Sequence, residues 1–431
     1  MKKNLLLAAA FLTGFFATAQ EGYTEVSVNM LPAYANQVYY KFATNTQTPV
    51  AAASWDIAFQ KSPAQIGMGS TIINDGSGLK VYQVATSEAG YATVDVAQQT
   101  SWIELHNSHL TWNEGAFDNA QNPTPGPFNY GWGNYEMNNN HRVKGLIVFV
   151  LKYADNSYKK LFLDVYDPYT GNITFKFATW DGNAWSADVN QVVDTNASAT
   201  HNFAYFSFQT NNQVTVAPAD ADWDMVFRKY TAPVTSGGQT VMYPVTGALQ
   251  SPLVTVAQIA ETGNTDAAPV LPATTAYSAE INTIGDDWKA FGGAGYVINP
   301  TNTYYVKHQD GNIYRMYFTS FSGTAAGTLS FNYKNVSSTT GMEDFNKTSF
   351  GFYPNPTADR NITFIYDLQN SAEKNTVKIY SLTGAKVFET ELANNGGFST
   401  QEVQLSNLTT GVYVVTLESG KQTVTKKLVI Q

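Results

Sequence analysis

Ser54-Trp55-Asp56-Ile57-Ala58-Phe59 reappears later in the chain, in altered form, as Asp222-Trp223-Asp224-Met225-Val226-Phe227. Each stretch opens on Trp-Asp and runs on as a short apolar strand. Each also follows a similar turn, Phe42-Ala43-Thr44-Asn45 in the first case and Phe208-Gln209-Thr210-Asn211 in the second. Alternation along a strand turns the Trp inward and the Asp outward, or leaves the Asp to cap a neighbouring backbone turn. An Asp beside a Trp is also a candidate catalytic acid, but no second carboxylate recurs at a fixed spacing from it, as a glycosidase pair would require. The structural reading is therefore preferred.

Working outward from this pair, the ends of the two segments align without a gap at an offset of 156 residues. Phe149-Val150 falls on Tyr305-Val306, Asn156 on Asn312, Tyr158-Lys159 on Tyr314-Arg315 and Gly171 on Gly327. Ile173, Phe175 and Phe177 fall on Leu329, Phe331 and Tyr333. This is a tandem duplication over about residues 23–190 and 200–337. The middles, roughly 60–145 and 230–300, differ between copies, and function usually sits in such loops. Short alternating runs dominate throughout, separated by turn signals such as Asp75-Gly76, Asp181-Gly182 and Asp310-Gly311-Asn312. The expected fold class is all-β: two tandem antiparallel β domains and a third, smaller unit.

Composition narrows the function classes. The 431 residues include no cysteine, which excludes disulfides, cysteine-built zinc or iron–sulfur sites and thiolate nucleophiles. Charged residues are 14%, well under the usual ~25%, while 26 Tyr, 25 Phe and 32 Gly suit an aromatic, turn-rich β protein. A net charge of -9 argues against nucleic acid as a partner. No Gly-x-Ser-x-Gly, His-Glu-x-x-His or P-loop pattern is present, so a non-enzymatic role is expected.

Residues 1–19 read as a secretory signal: Lys2 and Lys3, an apolar run from Leu5 to Phe16, then Ala17-Thr18-Ala19, with cleavage expected between Ala19 and Gln20. No later stretch is long and apolar enough for a transmembrane helix. Ser337-Ser338-Thr339-Thr340-Gly341 is a small polar linker. After it come Phe352-Tyr353-Pro354-Asn355-Pro356, strands at 361–366, 376–381 and 385–391, a turn at Leu382-Thr383-Gly384, and the close Leu408-Thr409-Thr410-Gly411-Val412-Tyr413 with a basic tail, Lys426-Lys427-Leu428-Val429. Alone this is a small β-sandwich.

This C-terminal unit resembles the type A sorting domain of the bacterial type IX secretion system, on Pro354, Asn355, Pro356, Gly384, Gly411, Tyr413 and the tail, all in family order. The resemblance implies type IX machinery as a partner, removal of the domain at the outer membrane, and a secreted or surface-attached product. The duplicated region looks like the HmuY family of haem-binding surface proteins. The likeness rests on Tyr205-Phe206-Ser207-Phe208, Asp222 to Tyr230, Tyr305 to Ile313 and Gly327 to Tyr333, with Trp55 to Phe59 and the Phe149 to Phe177 hairpin in the first copy. The expected organisation is residues 1–19 signal, 20–195 first repeat, 196–340 second repeat and 341–431 sorting domain.

The HmuY resemblance implies haem as cofactor, its iron held between two His or Met side chains on loops before the final hairpin. In the second copy that stretch, Ile284 to Tyr296, contains Asp286-Asp287-Trp288-Lys289 and no histidine. The expected ligands therefore lie in the first copy: His141 or Met137, paired with His106 or His109. Trp112, Tyr130, Trp132 and Tyr135 are at hand to sandwich a macrocycle. Met242 and His308 are the comparable residues of the second copy, with His308 expected on a strand surface opposite Lys152. The alternative partner is a surface glycan, bound by an adhesion module without a haem site.

Overall fold

The computed structural model describes residues 22–62, 68–261, 271–337, 348–368, 375–393, 398–419 and 422–431. The expected signal and its Ala19–Gln20 cleavage site, like most of the polar linker, lie outside these residues. The chain divides after Ser337 into two compact units.

The first unit is a stack of four antiparallel sheets. One outer sheet runs Val189–Asp194, Asn172–Thr179, Tyr158–Asp167, Val148–Lys152, Lys80–Ala85, Ile103–Leu105, with the hairpin Gly133–Glu136/Arg142–Gly145 on the far half of Tyr158–Asp167. The central sheet beneath it is Asn212–Val214, Phe203–Ser207, Ile57–Gln60, Thr71–Ile73. The second central sheet is Gln239–Gln250, Met225–Ser236, Asn36–Lys41, Thr46–Ala51. The second outer sheet is Thr24–Asn29, Thr328–Asn335, Ile313–Phe321, Asn302–His308, Val254–Ala260. Strand alternation makes this stack possible. Ile57 and Phe59 face one outer sheet, Met225 and Phe227 face the other, and the residues between them, Ala58 and Val226, face each other's sheet across the middle. The central strands are therefore buried on both faces, and their near-continuous apolar character follows.

The repeats do not close separately. The first copy's Trp-Asp strand, Ile57–Gln60, pairs with Phe203–Ser207 from the start of the second copy. The second copy's Trp-Asp strand pairs at Met225, Val226 and Phe227 with Tyr40, Tyr39 and Val38 from the start of the first. The outer sheets repeat the exchange: Val189–Asp194 borders Asn172–Thr179, and Thr24–Asn29 borders Thr328–Asn335 in the equivalent place. Module I is thus a continuous stretch from Trp55 to about Val216. Module II is completed by an N-terminal clasp, Thr24 to Ala51. The sequence boundary at 195/196 cuts across module I. The clasp buries Val26, Val28, Met30, Tyr34, Val38, Tyr40 and Phe42 in the core of module II, worth on the order of 10–20 kcal/mol of gross apolar burial.

Each repeated Asp caps the other copy's hairpin. The N–H of Phe208 donates to Asp56 Oδ2 at 2.7 Å, and the N–H of Phe42 donates to Asp224 Oδ2 at 2.8 Å. Asp224 also holds Lys41 Nζ at 2.8 Å. Both carboxylates are buried, so of the two structural readings the cap is the one realised. Between modules, Arg228 Nη2 meets Asp75 Oδ1 at 3.0 Å, with both side chains buried.

The uniform offset of 156 needs a correction. It holds for Gly171/Gly327 and for Ile173, Phe175 and Phe177 against Leu329, Phe331 and Tyr333, which all face their cores. In the two preceding strands the equivalence is 155: Phe149 and Leu151 match Tyr304 and Val306, and Leu161, Leu163 and Tyr166 match Met316, Phe318 and Phe321. Both long strands carry a register shift against the next strand, at Leu163/Val165 and Phe318/Ser320, at the same offset. One extra residue in the second copy's connection restores the count. A one-residue slip exchanges the faces of a strand, so Tyr305, aligned with core Phe149 by sequence, in fact faces the other way.

The C-terminal unit packs a three-stranded sheet, Thr348–Tyr353, Asn361–Leu368, Phe398–Gln404, on a four-stranded one, Lys386–Glu391, Asn375–Ser381, Gly411–Ser419, Gln422–Ile430. Its own core includes Phe350, Phe364, Ile379, Tyr413, Val415 and Leu428. Strands at 348–353 and 398–404 are additional to those read from sequence.

A fragment of residues 196–337 is expected to remain unfolded by circular dichroism and proteolysis, because it lacks the clasp. Addition of a 22–53 peptide in trans should restore protection. Cooperative folding of 196–337 alone would contradict the exchanged architecture.

Candidate functional site

His106 and His109 lie in the insert of module I between Leu105 and Gly133, a long segment without regular strands. Side-chain amides stand in for ladder partners here. Asn107 accepts from Ile73 N at 3.0 Å and donates to Ile73 O at 2.8 Å. Gln83 accepts from Gln121 N at 2.6 Å and donates to Gln121 O at 3.2 Å. Asn122 donates to Asn134 Oδ1 at 2.9 Å.

His141 and Met137 sit at the turn of the hairpin Gly133–Glu136/Arg142–Gly145. His141 Nδ1 lies 2.5 Å from Tyr135 Oη, its ring is 6.4 Å from that of Tyr169, and Met137 is 58% exposed. This turn is remote from His106. Leu105 is in register, through Val81 and Leu151, with Lys159. His141 precedes Arg142, whose guanidinium pairs with Asp167 at 2.8 Å. Lys159 and Asp167 are separated by roughly 25 Å along one strand at ~3.3 Å per residue. Axial ligands must stand on opposite sides of one iron atom, so the structure does not bring His141 or Met137 together with His106. His109, two residues past Asn107 in the insert, remains on the His106 side.

The fold instead gives His106 a different neighbour. A concavity of about 100 Å³ is lined by Ile73, Leu79, Leu105 and Pro244, by His106 and Met242, and by the charged Asp75, Lys80 and Glu104, among others. His106 comes from module I and Met242 from the long hairpin of module II, so the site spans the seam. Burial pushes the His106 imidazole below its ordinary pKa, with Glu104 opposing, which favours the neutral, metal-ligating form. No sequence offset connects these residues; only the packing of the two modules does.

In the second copy the stretch Ile284–Tyr296 is filled. Trp288 is fully buried and stacks on Phe318 with ring centroids 3.8 Å apart. Lys289 Nζ donates to the carbonyls of Thr246 and Asp286 and lies 4.3 Å from the Trp288 ring. Burial pushes Lys289 down to about 8, opposed by Asp286 and Asp287. His308, expected on a strand surface opposite Lys152, instead occupies the position equivalent to Tyr153. It is half-buried, with Nε2 3.3 Å from Lys41 Nζ and Nδ1 3.1 Å from Asp310 Oδ1. It belongs to the ion cluster around Asp224.

In the C-terminal unit the motif residues read from sequence meet. Asn355, between Pro354 and Pro356, donates through Nδ2 to Lys427 O at 2.7 Å and accepts from Val429 N at 2.9 Å. The entry motif thereby docks on the basic tail strand. Tyr413 Oη donates to Thr409 O at 2.8 Å, closing the Gly411 turn, and Gly384 occupies its turn at φ 83°.

A four-layer β stack of two exchanged modules, followed by a separate sandwich whose Pro-Asn-Pro entry is sewn to its last strand, defines a duplicated all-β protein with a C-terminal β module. The family model described as HmuY protein matches residues 33–177 and 199–333. A secretion system C-terminal sorting domain matches residues 351–431. The chain belongs to the HmuY family. The sorting domain supports export and a secreted or surface location. No curated protein matches the chain. Among the described residues no helix is long and apolar enough to cross a membrane, and no group of three or more His, Asp or Glu side chains is placed to hold a metal ion.

Lys289 supplies a pH test of this packing. Its folded pKa near 8 lies below the unfolded value of 10.5. Between these pH values the unfolded chain binds the extra proton, so stability rises with pH from about 8 to 10.5, by roughly 3 kcal/mol. In Lys289→Met this rise should vanish in urea titrations at pH 7.5 and 10; an unchanged rise would contradict the burial of the ammonium.

Proposed function

We propose that this chain is an exported, non-enzymatic ligand-binding protein of the bacterial surface and that its ligand is haem, held at the seam by His106 and Met242. The observation carrying this reading is the shared concavity: a neutral imidazole and a thioether from different modules face a lining that includes Ile73, Leu79, Leu105 and Pro244. Imidazole and thioether are both donors for haem iron, and Ile73, Leu79, Leu105 and Pro244 are the apolar part of a mixed lining that a macrocycle edge would meet. The family membership supports the same ligand class. His106 and Met242 would hold the haem, which would supply the iron. The protein's own part is to keep His106 uncharged and to fix Met242 on a paired strand, Met242 standing opposite Pro233.

Haemin titrated into the full exported chain should raise a Soret band at micromolar concentration. His106→Ala and Met242→Ala should each weaken binding at least tenfold, while His141→Ala should leave it unchanged. Affinity should fall as the pH drops below the ordinary imidazole value of about 6.5, where His106 begins to take a proton. Absence of any spectral change at micromolar haemin would sink this reading. For the export reading, a chain ending before residue 351 should accumulate in the periplasm; normal surface display of that truncation would count against it.

A further inference from the structure

A second concavity, walled by module I and closed by Pro252 of module II, is not used by the haem reading. It is a cleft of about 530 Å³ lined by Gln60, Met68, Gly69, Ser70, Asn113, Asp118, Asn129, Tyr130, Asn202 and Pro252. This is inside the roughly 300–1,000 Å³ range of small-ligand sites. Its chemistry differs from that of the seam pocket. Amides and hydroxyls dominate, one aromatic ring is present, Met68 and Pro252 are the apolar members, and no Lys or Arg is among the lining residues. An anionic ligand would find no cation there, and a haem macrocycle would bury polar groups without partners.

The polar groups divide into those that build the wall and those left over. Gln60 is buried; it accepts from Ser70 N at 3.1 Å and donates to Asn113 Oδ1 at 2.7 Å. Asn113 Oδ1 is thereby occupied and its Nδ2 remains a donor. Asn129 is spent on Thr124 O at 2.8 Å and on Gly131 N at 2.8 Å. Asp118 accepts from Gly115 N at 2.7 Å and Thr71 N at 3.1 Å, pinning the insert to the central sheet. Two glycines permit that approach. A Cβ at Gly115 would stand 1.9 Å from Thr71 O, and one at Gly131, at φ +70°, would stand 2.1 Å from Asp118 O. The wall is preorganised. Among the described residues, the Asn113 Nδ2 group, the Asn202 side-chain amide and the Tyr130 hydroxyl have no hydrogen-bond partner in the protein.

We propose that this cleft binds a neutral carbohydrate, one sugar ring lying on Tyr130 while its hydroxyls bond Asn113 Nδ2, the Asn202 amide and the Asp118 carboxyl group. A sugar ring presents a C–H face to an aromatic and a rim of groups that both donate and accept, which is what a mixture of amide, hydroxyl and carboxyl groups satisfies. A preformed wall lowers the ordering cost that weak polar contacts must overcome. A single carboxylate lines the cleft, so the site holds a glycan without the carboxylate pair that hydrolysis requires.

The test is a neutral-glycan array probed with the full exported chain, followed by calorimetry with the best-retained oligosaccharide. Tyr130→Ala and Asn113→Ala are each expected to weaken binding at least tenfold, and Tyr130→Phe less than Tyr130→Ala; Tyr130→Phe should keep the parent melting temperature, while Asn113→Ala should lower it by stripping the buried Gln60 amide of its acceptor. His106→Ala and Met242→Ala should bind the glycan as the parent does, which separates this site from the haem reading. No retention of any neutral glycan would overturn the proposal. Retention that survives both Tyr130→Ala and Asn113→Ala would also overturn it, as would displacement of the glycan by a neutral peptide or a stronger preference for acidic glycans.

Discussion

Two buried carboxylates, Asp56 and Asp224, set the architecture. Each accepts the backbone N–H of a phenylalanine, Phe208 or Phe42, that begins the turn of the other copy's opening hairpin. An ionised side chain inside a β stack is costly unless its hydrogen bonds are supplied, and burial does raise Asp56 above its usual carboxylate range, opposed first by the Phe208 N–H. The cost is tolerable only when the exchanged hairpin is seated. The same contact fixes the hairpin's register against the Trp-Asp strand, so Tyr39 and Tyr205 turn into the middle of the molecule. There Tyr205 meets Trp55 at 5.0 Å and Tyr39 meets Trp223 at 5.2 Å, both edge-on. Cap, register and inter-module core are one device used twice.

Much of this was legible in the sequence, and for a definite reason. The Trp-Asp repeat, the all-β class and the separate C-terminal unit are encoded in local spelling: alternation, turn residues and a repeated dipeptide. The Asn355 contacts explain why the sorting unit was the most legible part, since its entry motif and basic tail are short, ordered and physically joined. The two short motifs that recognise the unit are also the ones that hold it together.

What sequence spacing could not show are facts of pairing between distant segments. Nothing local says that Thr24–Asn29 borders Thr328–Asn335 rather than a strand of its own copy, because either choice satisfies the same alternation. The offset of 156 failed in two strands for a related reason. Aromatic residues lie on both faces of Asn302–His308, as Tyr304 and Tyr305, so the sequence offered two adjacent matches for Phe149, and only burial against the core of module II selects Tyr304. The expected ligands stand apart: His106 and His141 share one insert-bearing segment of chain, but their neighbours Leu105 and Arg142 relate to opposite ends of Tyr158–Asp167. The partner that His106 does meet, Met242, could be identified only by packing one module against the other.

Duplication also explains why the two modules are not functionally equivalent. In module II the stretch before the final hairpin is closed by Trp288 on Phe318, with Lys289 capping the plug through backbone carbonyls. In module I the corresponding region grew into a long insert fastened by Asn107, Gln83 and Asn122 to the sheets beneath it. A filled loop adds apolar burial and stability; the insert clamped by amides adds Phe117 and Trp132 to the core of module I and also builds concave walls. One copy thus supplies rigidity, and its projecting hairpin carries Met242 across the seam, while the other supplies the cavities. Because the clasp at Thr24 to Ala51 ties the first strand of the chain to the last strand of module II, neither role survives without the other. The binding surfaces are a property of the closed pair rather than of either repeat.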